Sequence, residues 1–205
     1  FQTSDLTNST ILRYSDSFGA HAISAIAGFE VADHRTGYTY ASANNFPNDK
    51  LNALSVGQVD RVGGASYRSF MMSLLGNVNY DYDNRYYLSA SFRRDGSSRL
   101  GPDSRWANFW SVSAAWRLSR EAFMENVSDL FHDLKIKASY GTNGNLPSEY
   151  YAYQGLYSAS AGYGTASGIF WSNPENSHLG WEKSRNFNVG FDWNLYNRVD
   201  IGVEY

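Results

Sequence analysis

The side chains here that could do chemistry are four histidines, scattered serines and acids, and one arginine-rich stretch. His21, His34, His132 and His178 fall on separate turns and loops with no ligand-like spacing, so no zinc site is expected. Ser, His and Asp all occur, yet no G-x-S-x-G elbow sets a serine on a strand-to-helix turn. Acid pairs able to hydrolyse glycosides exist in number, but nothing in their spacing singles one out. Gly96 and Gly101 lack the spacing and the lysine of a phosphate loop. The sequence therefore assigns no catalytic residue, no metal ligand and no cofactor, and it reads as a non-enzyme.

Two stretches remain as binding candidates. In LSASFRRDGSSRLG, residues 88–101, an alternating strand runs into Arg93, Arg94, Asp95 and Arg99. These arginines could grip an anionic substrate, or they could form an ion-pair network at a rim with Asp95 and Asp103. Asp95-Gly96 is expected to turn the chain. The second stretch is residues 143–180, where Tyr150, Tyr151, Tyr153, Tyr157, Tyr163, Phe170 and Trp171 sit among Gly, Ser and Ala. Flat aromatic faces in such a background suit sugar rings or peptides. The same residues could instead pack the loop onto neighbouring loops or a partner lid.

Composition bounds what can position them. The 205 residues are 17% aromatic and 18% charged, which marks a folded chain of one-domain size. A net charge of −3 gives little support for a grip on nucleic acid, and that class is set aside. Cysteine is absent, which removes disulfide frameworks and thiolate metal sites. No apolar run is long enough for a spanning helix, no signal peptide is present, and the chain starts at Phe1, so a mature or excised piece is expected.

Period-2 alternation dominates the chain. Leu88, Ala90 and Phe92 share a face opposite Ser89, Ser91 and Arg93; Val112 and Ala114 lie opposite Ser111 and Ser113; Phe187, Val189 and Phe191 oppose Asn188 and Asp192. About eight strands emerge, the first two spanning roughly 8–18 and 21–35. Gly19-Ala20 suits a two-residue turn that pairs Phe18 with His21. Three-residue loops at 83–85 and 196–198 keep apolar faces aligned, pairing Tyr82 with Tyr86 and Leu195 with Val199. Long connections over 36–67, 95–105 and 143–180 alternate with these. Residues 119–133 carry Phe123, Val127, Leu130 and Phe131 at helical spacing behind Ser119 as a cap, which predicts a short amphipathic helix. Aromatics Phe18, Tyr80, Tyr82, Tyr86, Trp116, Trp193 and Tyr205 cluster on the apolar face near the tight turns, as a girdle at a membrane interface would require. Tight turns on one side and long loops on the other suit a transmembrane barrel; a soluble β-rich binding or adhesion module also alternates.

Four stretches, LSASFRRDGSSRLG, SRWANFWSVSAAWRLSREAFM, LKIKASYGTNGN and NSHLGWEKSRNFNVGFDW, resemble in order and spacing the SusC/RagA family of TonB-dependent outer-membrane transporters over most of residues 67–205. The pattern departs from the family at Trp110 and Ser177. The resemblance implies an all-β chain: an antiparallel up-and-down transmembrane β-barrel segment of about eight strands, part of a barrel of about 22. Residues 1–205 are then a partial barrel with no plug domain. It further implies bacterial outer-membrane localisation and import of oligosaccharide or peptide. Expected partners are a SusD-like surface lipoprotein, a TonB energy-coupling protein, outer-membrane lipid and the cargo itself. Arg93 would face the lumen, and Arg94 would reach headgroups or water at the outer interface.

Overall fold

Alternation becomes ten antiparallel strands in the computed structural model, which describes residues 1–51, 53–127, 130–163 and 166–205, without the side chains of 159–167. They are β1 (Gln2–Phe18), β2 (His21–Asn44), β3 (Gln58–Tyr82), β4 (Tyr86–Ser97), β5 (Trp106–Arg117), β6 (Phe131–Asn145), β7 (Leu156–Tyr163), β8 (Ala166–Asn173), β9 (Glu182–Leu195) and β10 (Val199–Glu204). Eight of them form one sheet in the order β1-β2-β3-β4-β5-β6-β9-β10, and β7 and β8 form a separate hairpin. The sheet is an up-and-down meander with one insertion.

Tight turns fix its register. Phe18 pairs with His21 across Gly19, whose φ of +61° is the left-handed conformation that a two-residue hairpin needs. Tyr82 pairs with Tyr86 and Leu195 with Val199, as the three-residue loops require. Their left-handed positions fall on Asp83 and Asn84, and on Tyr196 and Asn197, and not on the arginines that close each loop. The Asn84 amide also donates to Asp81 Oδ1 at 2.7 Å.

Three sequence expectations need correction. The connection over 36–67 is mostly strand: Tyr38 pairs with Ala65 and Tyr40 with Gly63, leaving only 45–57 between β2 and β3. Gly63 looks like a breaker, but a Cβ there would stand 2.7 Å from the Tyr40 ring, so the glycine makes room for a cross-strand aromatic. Asp95-Gly96 does not turn the chain; β4 continues through Ser97 and pairs Gly96 with Trp106. Residues 119–133 form 3-10 turns at Leu118–Arg120 and Ala122–Val127, not an amphipathic α-helix. Phe123 and Val127 are exposed there, so no packed face holds an α-turn. Ser119 donates to Asp133 Oδ1 at 3.0 Å and caps nothing; residues 128 and 129 of the expected helix lie outside the described residues.

The two faces differ sharply. Near the tight turns, one register row runs Phe18, His21, Tyr82, Tyr86, Trp116, Ile136, Phe191, Val203 across all eight strands. Phe18, His21, Tyr82, Tyr86 and Trp116 stand side by side, with ring centroids 4.9 to 6.2 Å apart. Above this belt come Val78, Ala90, Val112, Tyr140 and Phe187, apolar throughout. The opposite face carries Ser24, Asn79, Ser89, Ser113, Ser139 and Asn188 in one row. Asn79 donates to Asn77 and Ser24, Ser91 shares a 2.6 Å bond with Ser111, and Asn188 donates to Ser139. Buried side chains occur only at the long-loop end of this polar face, among the described residues: Leu100, Ala107 and Phe109 with Ser73, Asp95 and Ser97.

Candidate functional site

The expected arginines lie at the long-loop end of the sheet, Arg93 on its polar face and Arg94 on the other, and each has a different task. Arg93 points inward from β4, and its Nε lies 2.7 and 2.8 Å from the two Asp95 oxygens, while Nη2 donates to Ser73 at 3.0 Å. Glu30 stands 3.8 Å away on β2. Asp95 is buried, and both of its oxygens share the one Arg93 Nε–H, so the charge is taken out of water only as part of this pair. Arg94 points the other way and lies over the Trp106 ring at 5.4 Å. Arg99 has no carboxylate partner among the described residues. Its guanidinium lies 4.1 Å from the Tyr150 ring centroid and donates to the Pro147 carbonyl at 3.3 Å. Asp103 faces His178 at 3.6 Å instead of an arginine. Of the expected rim network only the Arg93–Asp95 pair forms among the described residues, and Glu30, which the sequence did not single out, joins it from β2.

The aromatics of 143–180 divide into two groups. Tyr150 packs between Arg99, His34 and Tyr67, and Tyr151 lies against Tyr67 and accepts a bond from the Arg68 amide. Tyr153 sits under Arg105. These three anchor the loop to β2, β3 and the β4–β5 connection. Tyr157 and Trp171, by contrast, are cross-strand partners on the β7–β8 hairpin, stacked with centroids 6.3 Å apart and planes 10° apart. They are 70% and 62% exposed, and Phe170 is exposed beside them. The side chain of Tyr163 lies outside the described residues.

The base of the hairpin is tied down. Gly101 and Asp103 donate to the Leu179 and Ser177 carbonyls, and Trp181 donates to the Arg105 carbonyl at 2.9 Å while its ring meets Phe109 edge-on. A Cβ at Gly101 would stand 2.0 Å from the Ser177 oxygen, and one at Gly144 2.1 Å from Phe109. Both glycines are needed for close approach.

At the opposite end, Glu121 caps the aromatic belt. Its Oε1 accepts from the Tyr86 hydroxyl at 2.6 Å and from Trp116 Nε1 at 2.9 Å. The Tyr86 bond first, then the Trp116 bond, hold the Glu121 carboxyl below its ordinary value.

A two-faced meander with an aromatic belt is matched by the family described as TonB dependent receptor-like, beta-barrel, over residues 1–205. The chain belongs to that family. It is 31% identical to TonB-dependent receptor P39 of Formosa agariphila over 98% of its own length and 20% of that protein's. TonB-dependent receptor SusC of Bacteroides thetaiotaomicron is 29% identical, again over 98% of this chain and 20% of SusC. A solved structure described as the RagAB peptide transporter superposes with a TM-score of 0.89 at 29% identity, covering 98% of this chain and 23% of the matched chain. This chain thus spans about a fifth of the relatives that it matches.

Within this TonB-dependent receptor barrel, His21 and His34 are neighbours of other side chains on the sheet. His21 Nδ1 lies 2.7 Å from the Tyr80 hydroxyl, and His34 pairs with Asp5. Sequence reasoning missed Glu121 as the acceptor for the belt, and it missed Asp33 bracketed by Arg35 and Arg68. The first needed the fold of the 3-10 turns. Parity puts Asp33 and Arg35 on one face, in the series of Phe29 and Val31, but Arg68 comes to Asp33 only through the register of β3 on β2.

Proposed function

We propose that residues 1–205 are part of the wall of a bacterial outer-membrane, TonB-dependent importer. The observation that carries this reading is the pairing of an apolar face, belted by aromatics at the tight-turn end, with a hydrogen-bonded polar face behind it. β1 and β10 are each paired on one side only. Hydrocarbon leaves no backbone group unpaired, so the working wall is a larger closed barrel in which both edges meet further strands. The plug lies outside residues 1–205 on this reading.

The cargo belongs to the oligosaccharide or peptide class. Support comes from the exposed Tyr157–Trp171 stack, which offers a flat, rigid surface on an anchored hairpin. Partners of the whole protein are a SusD-like surface lipoprotein, a TonB energy-coupling protein and outer-membrane lipid. Membrane fractionation and cargo uptake by cells with and without the TonB protein test the proposal. The intact protein is expected in the outer membrane, with uptake lost when TonB is removed. Recovery of the folded protein in the aqueous fraction, or undiminished uptake without TonB, would overturn it.

A further inference from the structure

On the lipid-side face, Arg35 of β2 and Arg68 of β3 stand directly opposite one another. Like charges at such positions repel unless something neutralises them. Asp33 does so in part. Arg35 Nε and Nη2 donate to its Oδ2 at 3.0 and 2.7 Å; Arg68 Nε donates to Oδ1 at 2.8 Å and Nη2 to Oδ2 at 3.0 Å. The trio keeps one net positive charge, and neither arginine has another acidic partner among the described residues. A guanidinium carries five N–H donors. Asp33 takes two from each arginine, so three on each remain for another anion. Both arginine side chains are more than half exposed.

Position says which anion. A strand tilted through the bilayer crosses it in about 9 to 11 residues, climbing about 2.3 Å with each. Counted along each strand from His21 and Tyr82 in the belt, that span closes at Val31 on β2 and at its partner Met72 on β3, with Phe70 the next residue of this face, opposite Asp33. Asp33 is two residues above Val31, about 5 Å into the headgroup layer. Both guanidinium groups reach back to Asp33 and so lie at that level. We propose that Arg35 and Arg68, oriented by Asp33, form a binding site on the outer wall for the phosphate of an anionic lipid headgroup in the outer leaflet. Two forked guanidinium groups held side by side match the oxygens of a phosphate. Arg94, laid over Trp106 at the edge of the band, adds positive charge lower on the same face.

This inference rests on the membrane reading above, and its test separates the two. The full-length transporter, purified in detergent and stripped of lipid, is incubated with diphosphorylated lipid A or with its dephosphorylated form, and the retained lipid is counted by native mass spectrometry. Wild type should retain the phosphorylated form about tenfold more strongly. An Arg35→Gln, Arg68→Gln double variant that still shows the heat-modifiable mobility of a folded barrel should lose that preference. Equal retention of both lipids by wild type overturns the site without any variant. Displacement of lipid A by equimolar inorganic phosphate also overturns it, because the site would then take the free ion. Failure to form a detergent-stable barrel would instead strike the membrane reading.

Discussion

The Tyr86 hydroxyl donates to Glu121 Oε1 across 2.6 Å, joining the first residue of β4 to the turn that follows β5. Trp116 donates to the same oxygen, so one carboxylate gathers two belt aromatics and stands 3.8 Å from Arg85. This contact sets the aromatic rings where the sheet leaves the apolar band.

Its pH dependence follows in sign. The folded protein holds Glu121 below its ordinary value, so the ionised carboxylate favours folding. That contribution is full above the ordinary value of an unfolded glutamate and fades as pH falls through the lower folded value. Urea-unfolding midpoints in detergent should drop below about pH 4 in wild type, and the part due to this group should vanish in Glu121→Gln. Identical pH profiles for the two proteins would rule the clip out.

Face assignment is tested by arginine substitution. Val112 lies mid-strand between Ala90 and Tyr140 and is exposed on the apolar face, whereas Ser113 lies between Ser89 and Ser139 on the polar one. Val112→Arg should cost about 2 to 4 kcal/mol of barrel stability. Ser113→Arg should cost far less. Equal penalties in a refolding titration into lipid would remove the assignment.

Loop anchoring is tested at Gly101. An alanine methyl there meets the Ser177 carbonyl, a backbone atom that cannot swing aside. Gly101→Ala should destabilise the loop junction by about 1 to 3 kcal/mol and accelerate protease cleavage within 146–181, with the eight-stranded sheet protected as before. Unchanged cleavage would show that the junction tolerates a gap.

The two aromatic groups should separate in a binding assay on the intact transporter. Tyr157→Ala with Trp171→Ala removes the exposed stack and should lower cargo affinity at normal membrane abundance. Tyr150→Ala should act through the loop, because its ring supports Arg99 and touches His34 and Tyr67. Proteolysis of the loop should rise with it. Affinity left intact by the first pair sinks the platform role.

Much of the wall was legible in the sequence because its signals are local. Alternation with period 2 shows which residues share a face, and a two- or three-residue turn admits only one register, so Phe18 against His21 and Tyr82 against Tyr86 followed directly. Alternation also put Arg93 and Arg94 on opposite faces. Tertiary structure decided the rest, since it depends on pairs far apart in the chain. Tyr40 against Gly63 extends β2 and β3 through a stretch that reads as loop, because a glycine's lack of a side chain has value only beside a specific partner ring. Arg93 found Asp95 and Glu30, Arg99 found Tyr150, and Arg35 and Arg68 found one shared carboxylate. Charge type was written at each position; the partner was not, because an ion pair forms wherever register and loop closure bring two groups within a few ångströms.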